Sequence, residues 1–390
     1  MEIFFTICII FLVLLYQVKK YKGLSITCFL VLLLTLLIIF PSSALAAAKE
    51  GINLWLFIVV PSLLPFFIIN DMLSSLKVPE NISTLFSPLV RKVFKTSGYG
   101  AYVFIMSIFA GYPSGAKIVA NLLEENKISK SEGEKILTFS STSGPLFIIG
   151  AVGSGMLNNP TLGYILFISH ILGAIINGVF SRPFFKESFI DVSTKKSLKF
   201  HTPSEDIILK GIKSSLVTCG YIGGYIIFFC VILQLIKNIN LLNYISIFLL
   251  NIKVIPPDAV HSIVLFLESL IEVSYGSKII SLSAVSIEIK LMLLSFLIAF
   301  SGFAVIGQVS GILSSFKLNI KKYITFKITH GIFSSIICFV ILKFNIFSIE
   351  TINTNIYVKN ISLGYYLILF LITILIFNSI GFFIKKIKTN

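Results

Sequence analysis

Long apolar segments, separated by short polar or basic stretches, follow one another along almost the whole chain. They lie near residues 3–18, 23–40, 51–70, 101–123, 136–158, 160–180, 214–237, 241–255, 259–281, 289–313, 323–343 and 361–384. Most approach the length of about 20 residues that crosses a bilayer as a helix. Alternating segments typical of membrane β-strands are not visible. The pattern predicts an all-α polytopic membrane protein with roughly 8–11 membrane segments.

Composition and charge support the same class. The chain is 56% hydrophobic and 13% charged, whereas soluble domains carry about 25% charged residues. Its net charge is +15, and the cations cluster beside apolar segments, as positive-inside loops at anionic headgroups do. We therefore expect the lipid bilayer, and no nucleic acid, as the partner of these cations. The basic clusters are Lys19, Lys20 and Lys22; Arg91, Lys92 and Lys95; Lys195, Lys196 and Lys199; and Lys385, Lys386 and Lys388.

Helix breakers interrupt one apolar segment near its middle, in the string FAGYPSGAK that begins at Phe109. Glycine and proline at this depth predict a re-entrant hairpin or an unwound span, whose free backbone groups must face a polar cavity. Helix N-termini at such a break favour anions. Lys117 would lie at or just beyond the tip, although a lysine snorkelling to the membrane edge explains it too. The substrate contacts predicted here are Gly111, Ser114, Gly115 and Lys117.

A weak internal repeat adds further candidates. The string IFAGYPSGAKIVANLL at 108–123 aligns with AFSGFAVIGQVSGILSS at 299–315, and TFSSTSG at 138–144 aligns with TFKITHG at 325–331. Repeated halves with interrupted helices are typical of secondary transporters, which bind substrate near the midplane between the repeats. A proline-kinked helix at 140–145 is the alternative. The alignment adds Ser141, Thr142, Ser143, Gly144, Gln308 and Thr329 to the predicted substrate site.

Three ionisable residues are candidates for coupling transport to an ion. Glu268 and Glu272 are four residues apart and are predicted to share one helix face. Intramembrane carboxylates and histidines such as His330 can carry protons, and carboxylates can hold sodium. The choice between proton and sodium stays open. So do the alternatives of an interfacial helix with both carboxylates in water and of a packing histidine at position 330.

Other chemistries find little support in the residues. The five cysteines lack CxxC spacing and the four histidines are scattered, so no metal site or cofactor is predicted. There is no Walker A string, no nucleophile elbow and no HExxH. An ATP-driven pump is therefore not indicated, and we expect that the chain is not an enzyme.

Several strings resemble a known family. AAAKEGINLWLFIVVPSLLPFFI, GYPSGAK, TSGPLFIIGAVGSG, LESLIEVSYGSKIIS and FSGFAVIGQVSGIL resemble the YlbJ (SpoVV) family of sporulation integral membrane proteins, over roughly residues 45 to 343. The resemblance implies two inverted gate-like repeats with re-entrant or broken helices, similar to part of the concentrative nucleoside transporters. The implied organisation is 1–44 N-terminal transmembrane helices, 45–180 first gate-like repeat, 181–213 basic cytoplasmic connection, and 214–390 second gate-like repeat with a C-terminal helix.

The same resemblance implies a role in spore formation and the spore cortex, in the mother-cell-derived outer forespore membrane, with movement of dipicolinate. The leading interpretation is a secondary transporter of a small anionic metabolite, with dipicolinate implied by the resemblance. A nucleoside or nucleobase transporter and a non-transporting sporulation scaffold are the alternatives, and an enzyme acting on lipid-linked cortex precursors is a further one. The oligomeric state stays open.

Overall fold

The computed structural model describes residues 22–76, 78–185, 206–251 and 256–344, and all regular secondary structure within them is helical. The predicted first helix at 3–18 and the last apolar segment at 361–384 lie outside these residues. Most of the basic connection also lies outside them. The helical class predicted from the apolar pattern is confirmed.

Fifteen α-helices, two π-helical segments and two short 3₁₀-helices, Arg182–Phe184 and Ser314–Phe316, occur in the described part of the chain. The helices are α1 Lys22–Ile39, α2 Pro41–Leu54, α3 Val60–Ser75, α4 Val78–Phe94, α5 Tyr99–Ala110, α6 Ser114–Glu124, α7 Lys130–Ser140, α8 Pro160–Phe180, α9 Ile207–Asn238, α10 Leu241–Asn251, α11 Pro257–Ser269, α12 Val273–Leu282, α13 Ile287–Phe300, α14 Gly302–Ile312 and α15 Ile320–Lys343. The π-helical segments are π1 Trp55–Val59 and π2 Leu146–Met156.

Four spans in the described residues are long and apolar enough to cross a membrane: α8, α9, α15, and α13 together with α14. Two bent pairs raise the number to six if each counts as one span. The stretch Gly23–Ile39 meets Pro41–Val59 at 102°, and Val78–Phe94 meets Tyr99–Ala110 at 91°. Shorter apolar helices, which include α10 and most of α11, lie between these spans.

Among the described residues, four short breaks lie inside apolar segments, at Gly111, at 141–144, at Leu270 to Glu272 and at Ser301, and local chemistry explains three of them. Gly111 ends α5 with φ 75° and ψ 177°, a conformation that is essentially restricted to glycine. Pro145, which lacks an N–H donor, follows the non-helical residues 141–144 between α7 and π2. Ser301 adopts a left-handed conformation between α13 and α14. The fourth break, at Leu270 to Glu272, contains neither glycine nor proline.

The same order of elements occurs in both halves. A helical hairpin, a broken helix and a long helix follow one another as α5–α6, α7–π2 and α8, and again as α11–α12, α13–α14 and α15. We name α5–α6 hairpin 1, α11–α12 hairpin 2, α7–π2 broken helix 1 and α13–α14 broken helix 2. Hairpin 2, and not broken helix 2, is therefore the counterpart of hairpin 1.

This order corrects the alignment predicted from the sequence. Gly111 lies in a hairpin tip whereas Gly302 lies in a broken helix, so the pairing of Gly111 with Gly302 and of Lys117 with Gln308 is wrong. The pairing of TFSSTSG with TFKITHG is wrong as well, because the second string lies inside the continuous helix α15. That helix carries Gly331 but lacks a following proline, so its backbone bonds continue.

The two hairpins approach from opposite ends of α9, which packs along α2 and α3. Lys117 of hairpin 1 lies 3.0 Å from Ser214, near the start of α9. Lys237, near its end, lies 2.7 Å from Glu268 of hairpin 2. Those two positions on α9 are separated by about 35 Å of helix rise, comparable with the hydrocarbon core of a bilayer. The two hairpins therefore meet α9 at opposite ends, as the inverted repeats implied by the resemblance would.

Candidate substrate site

A central cavity forms where both hairpin tips, broken helix 1 and the middle of α9 meet. It encloses about 550 Å³ of space between atoms, its open mouth included. Its walls are largely apolar, with a few polar groups from the breaks and from α14. The lining residues are Val59, Leu63, Phe109, Ala110, Gly111, Tyr112, Ser143, Gly144, Leu146, Phe147, Ile222, Ile226, Glu272, Val273, Ser274, Val305 and Gln308.

Each hairpin tip touches the break of a broken helix directly. A Cβ atom on Gly111 would lie 2.8 Å from the backbone nitrogen of Gly144, so the tip of hairpin 1 meets broken helix 1 backbone to backbone. In the other half, the N–H of Phe303 donates to the carbonyl of Leu270 at 2.8 Å. The four breaks form two contacting pairs, and the cavity lies between them.

Side chains of α8 and α15 hold the non-helical residues 141–144. The backbone N–H of Ser143 donates to Nε2 of His170 at 2.8 Å. The ammonium of Lys327 donates to the carbonyl of Ser141 at 2.7 Å. These bonds satisfy backbone groups that lipid could not satisfy. They also mean that the Ser143 N–H, which was expected to be available to an anion, already has a protein acceptor.

One amide links three helices behind the same segment. Asn177 of α8 is fully buried, and its Nδ2 donates to the carbonyls of Thr138 at 2.6 Å and Phe326 at 2.9 Å. Its Oδ1 accepts from the hydroxyl of Thr329 at 2.6 Å. Thr329, predicted to contact substrate, therefore supports the broken helix and does not line the central cavity.

The polar groups that face the cavity are few. Gln308 lines it with a side-chain amide that has no hydrogen-bond partner among the described residues. Glu272 lines it too, but its carboxylate accepts from the backbone N–H of Tyr275 at 2.7 Å and caps α12. A carboxylate at a helix N-terminus is stabilised by the free N–H groups and the helix dipole. Gln308 therefore offers the cavity a free amide, and Glu272 a carboxylate that is already partnered.

Lys117 does not point into the central cavity. Its ammonium lies 2.9 Å from Oδ2 and 3.2 Å from Oδ1 of Asp71 on α3. It lines an adjacent cleft, defined by Lys117, Thr218, Tyr221, Ile222, Tyr225, Gln308, Gly311 and Ile312. The two cavities share Gln308 and Ile222. Lys117 and Gln308, which were predicted to share one site, both line this cleft. The free cation predicted at the hairpin tip is instead neutralised by Asp71.

Glu268 and Glu272 do not form a pair on one helix face. Helix α11 ends at Ser269, because the chain turns at the tip of hairpin 2, and Glu272 precedes α12. Glu268 instead pairs with Lys237 at 2.7 Å, with the carboxylate oxygen 3.5 Å from the hydroxyl of Tyr275. The shared helix face predicted for the two carboxylates is therefore wrong.

The remaining predicted residues belong to the framework of the breaks. Ser114 donates its hydroxyl to the Gly111 carbonyl, and a Cβ on Gly115 would lie 2.5 Å from the Ser140 carbonyl. Thr142 is fully buried beside Ser141, whose hydroxyl lies 2.7 Å from that of Tyr323. His330 bonds through Nε2 to the His170 carbonyl at 3.0 Å, as a packing histidine would. Of the predicted substrate residues, Gly111, Ser143, Gly144 and Gln308 line the central cavity.

Sequence reasoning missed three polar residues of this region. Lys327 lies in an apolar span, a position that itself suggests function. His170 lies inside α8 and gave no local signal, because its role depends on the distant Ser143. Asp71 lies near the end of an apolar segment, where a carboxylate opposite a basic hairpin residue could have been suspected.

Comparison with known proteins gives the family. No family profile matches the chain. A curated relative, the sporulation integral membrane protein YlbJ of Bacillus subtilis (strain 168), is 31% identical over 344 residues, which cover 84% of this chain and 84% of that protein. The chain belongs to the YlbJ family. Like that relative, this YlbJ-family chain is an integral membrane protein, as its long apolar helices require.

Solved structures of CNTnw, a concentrative nucleoside transporter homologue, share a coarse similarity with this YlbJ-family chain. The inward-facing, substrate-bound state is 14% identical, with a TM-score of 0.48 over 86% of this chain and 91% of CNTnw. An outward-facing double variant is 14% identical, with a TM-score of 0.49 over 87% and 90%. Both scores lie below 0.5, and the architecture described above rests on the chain's own geometry.

Proposed function

We propose that this YlbJ-family chain is a secondary transporter that moves a small aromatic anion, with dipicolinate the best candidate, during spore formation. The sporulation role follows the name of the curated relative. The two hairpins at opposite ends of α9 and the cavity between their tips support a transporter, because carriers bind substrate near the midplane between repeats. A substrate carrier needs no catalytic group.

The observation that carries the choice of an anion is the environment of Lys327. Its side chain is 1% exposed, and no carboxylate pairs with it in the described part of the chain. Its ammonium lies 5.7 Å from the centre of the Tyr112 ring, which lines the cavity. A buried ammonium whose contacts are one carbonyl and the face of the Tyr112 ring is costly, and a bound anion beside Tyr112 would offset that cost.

The other cavity groups suit a flat dicarboxylate. Dipicolinate carries two carboxylates on one aromatic ring, so it needs a positive field, a hydrogen-bond donor and an apolar slot. Lys327 supplies the field through the Tyr112 wall, and the free amide of Gln308 supplies the donor. Tyr112 and Phe147 supply flat apolar walls. Glu272 does not oppose an anion strongly, since its charge is held at the start of α12.

The proposed orientation places the start of α9 and the opening of hairpin 1 on the cytoplasmic side. The connection at 181–213 would then be cytoplasmic, as its basic residues suggest. Hairpin 2 would open on the opposite face.

We expect Lys327→Gln to weaken dipicolinate binding by at least about thirtyfold, because it removes the only buried, unpaired cation beside the cavity in the described residues. Glutamine keeps a donor for the Ser141 carbonyl. Lys117→Gln is the matched control and should change binding by less than about threefold, because the Lys117 ammonium is already paired with the Asp71 carboxylate. Equilibrium binding of labelled dipicolinate to purified protein in detergent measures both. Unchanged binding in Lys327→Gln, or strong loss only in Lys117→Gln, would contradict the assignment.

A second candidate, a nucleoside or nucleobase transporter, is favoured by two groups in the same cavity. The free amide of Gln308 and the carboxylate of Glu272 can pair with neutral donors and acceptors such as those of uridine. Uridine binding that survives Lys327→Gln and disappears in Gln308→Leu, with no dipicolinate binding by the wild type, would select this candidate. A scaffold would bind neither ligand.

A further inference from the structure

We propose that Lys117 and Asp71 form a latch that holds hairpin 1 against α3, and that hairpin 2 has a looser counterpart in Lys278 and Glu50. The proposal rests on the proposed transporter function, because only a moving hairpin needs a releasable contact. It makes Lys117 and Asp71 positioning residues and not substrate contacts.

The two hairpins carry their lysines at equivalent places. Each second arm contains a Gly-x-Lys-Ile string shortly after the tip, at Gly115 in hairpin 1 and Gly276 in hairpin 2. Both glycines let the second arm approach the first arm of the same hairpin closely, since a Cβ would lie 2.6 Å from the Ser107 hydroxyl oxygen in hairpin 1 and 2.4 Å from the Ser269 carbonyl oxygen in hairpin 2. The hairpins are thus equivalent in chain order and in this contact, which makes Lys278 the repeat mate of Lys117.

Both lysines bind carboxylates of the same arm of the molecule, formed by α2, π1 and α3. Lys117 pairs with Asp71 of α3 at 2.9 Å, and Lys278 pairs with Glu50 of α2 at 3.2 Å. The two carboxylates are 21 positions apart in the sequence. The α2–α3 arm, which packs along α9, therefore holds one hairpin near each of its ends.

The two ion pairs differ in strength. The side chains of Lys117 and Asp71 are 15% and 14% exposed, whereas those of Lys278 and Glu50 are 50% and 43% exposed. An exposed pair contributes little, and a shielded pair with additional hydrogen bonds contributes more. In this conformation the ion pair between hairpin 1 and the α2–α3 arm is shielded and the ion pair between hairpin 2 and the same arm is exposed, while hairpin 2 is held to α9 by Glu268 and Lys237.

The ammonium of Lys117 has no donor left for a substrate. Its three N–H groups match three acceptors, which are Oδ1 and Oδ2 of Asp71 and the hydroxyl of Ser214 at 3.0 Å. Ser214 belongs to α9, so the cluster joins hairpin 1 to both α3 and α9. Lys117 also lines the cleft beside the central cavity. Release of the Lys117–Asp71 pair would therefore widen the passage between the cleft and the cavity.

Backbone hydrogen–deuterium exchange of the full chain in detergent, without any substrate, tests the latch. We expect Asp71→Asn and Lys117→Gln each to speed exchange over residues 109–124 by at least about tenfold, because the hairpin opens more often. The swap Asp71→Lys with Lys117→Asp should return exchange to within about threefold of wild type. Glu50→Gln, the matched control at the exposed pair, should change exchange over 268–282 by less than about threefold.

Exchange at residues 109–124 within about twofold of wild type in both single variants would overturn the latch, provided that residues 160–180 and 320–343 stay protected. A swap that leaves exchange as fast as in the single variants would also overturn it. Two single variants guard against one that fails to fold. Because no substrate is present, these outcomes are independent of whether dipicolinate or uridine is transported. Absence of dipicolinate binding by the wild-type protein would refute the proposed function and would leave the latch unaffected.

Discussion

Replacing Gly111 with alanine should weaken substrate binding strongly. Gly111 adopts φ 75° and ψ 177°, which costs an L-residue about 1–3 kcal/mol, and the new Cβ would lie 2.8 Å from the Gly144 nitrogen. Either the hairpin tip or broken helix 1 must move, and both line the central cavity. We expect dipicolinate affinity to fall at least about tenfold, measured by equilibrium binding, together with a lower melting temperature.

Gly150→Ala is the matched control for that substitution. Gly150 lies in π2, and a Cβ there would meet no atom within 4 Å. Removing a glycine at such a site changes stability by less than about 1 kcal/mol and often raises it. We expect wild-type binding in Gly150→Ala. Wild-type binding in Gly111→Ala would instead show that the contact between the two breaks does not shape the site.

Asn177→Leu should cause a marked loss of stability. It removes a fully buried amide that bonds the Thr138 carbonyl, the Phe326 carbonyl and the Thr329 hydroxyl, while the Thr329 hydroxyl keeps its bond to the Phe326 carbonyl at 3.1 Å. Each buried group left without a partner costs about 1–3 kcal/mol in soluble proteins and less in membranes, so a total of about 2 kcal/mol or more is expected. Thermal or denaturant unfolding in detergent measures the change.

Ile176→Ala on the same helix serves as the comparison. Ile176 is 44% exposed at the protein surface, so its loss should change stability by about 0.5 kcal/mol or less. If Asn177→Leu were no more destabilising than Ile176→Ala, the amide would not be holding broken helix 1. Asn177→Leu should also weaken dipicolinate binding. The Thr138 carbonyl that Asn177 holds lies shortly before Ser143 and Gly144 in the chain, and these two residues line the cavity.

Breaks marked by glycine and proline could be read from the sequence, because their cause is local. The GYPSG tip and the non-helical residues 141–144 occur where backbone chemistry forbids a regular helix. The tip of hairpin 2 lacks both residue types, and its main local sign is the capping carboxylate of Glu272. That break, and with it the correct pairing of the repeats, therefore required the structure.

Long-range partners explain what the sequence reasoning missed at the site. Lys117 was expected to face substrate, since nothing local shows that Asp71, 46 positions away, lies within 2.9 Å. Lys327 and His330 belong to the string 325–331, which resembles 138–144. The resemblance suggested that the two strings occupy equivalent places in the two halves, whereas in the structure they lie against each other. Lys327 binds the Ser141 carbonyl, and His330 packs on His170, which in turn holds Ser143.

The most direct test of the central cavity as a substrate site is uptake of labelled dipicolinate into liposomes containing the purified full chain. Wild type, Lys327→Gln and Gln308→Leu would be compared at equal protein content. The proposed site predicts saturable uptake by the wild type and a loss of at least about tenfold in both variants. Wild-type rates in both variants, or no dipicolinate uptake by folded wild-type protein, would contradict it.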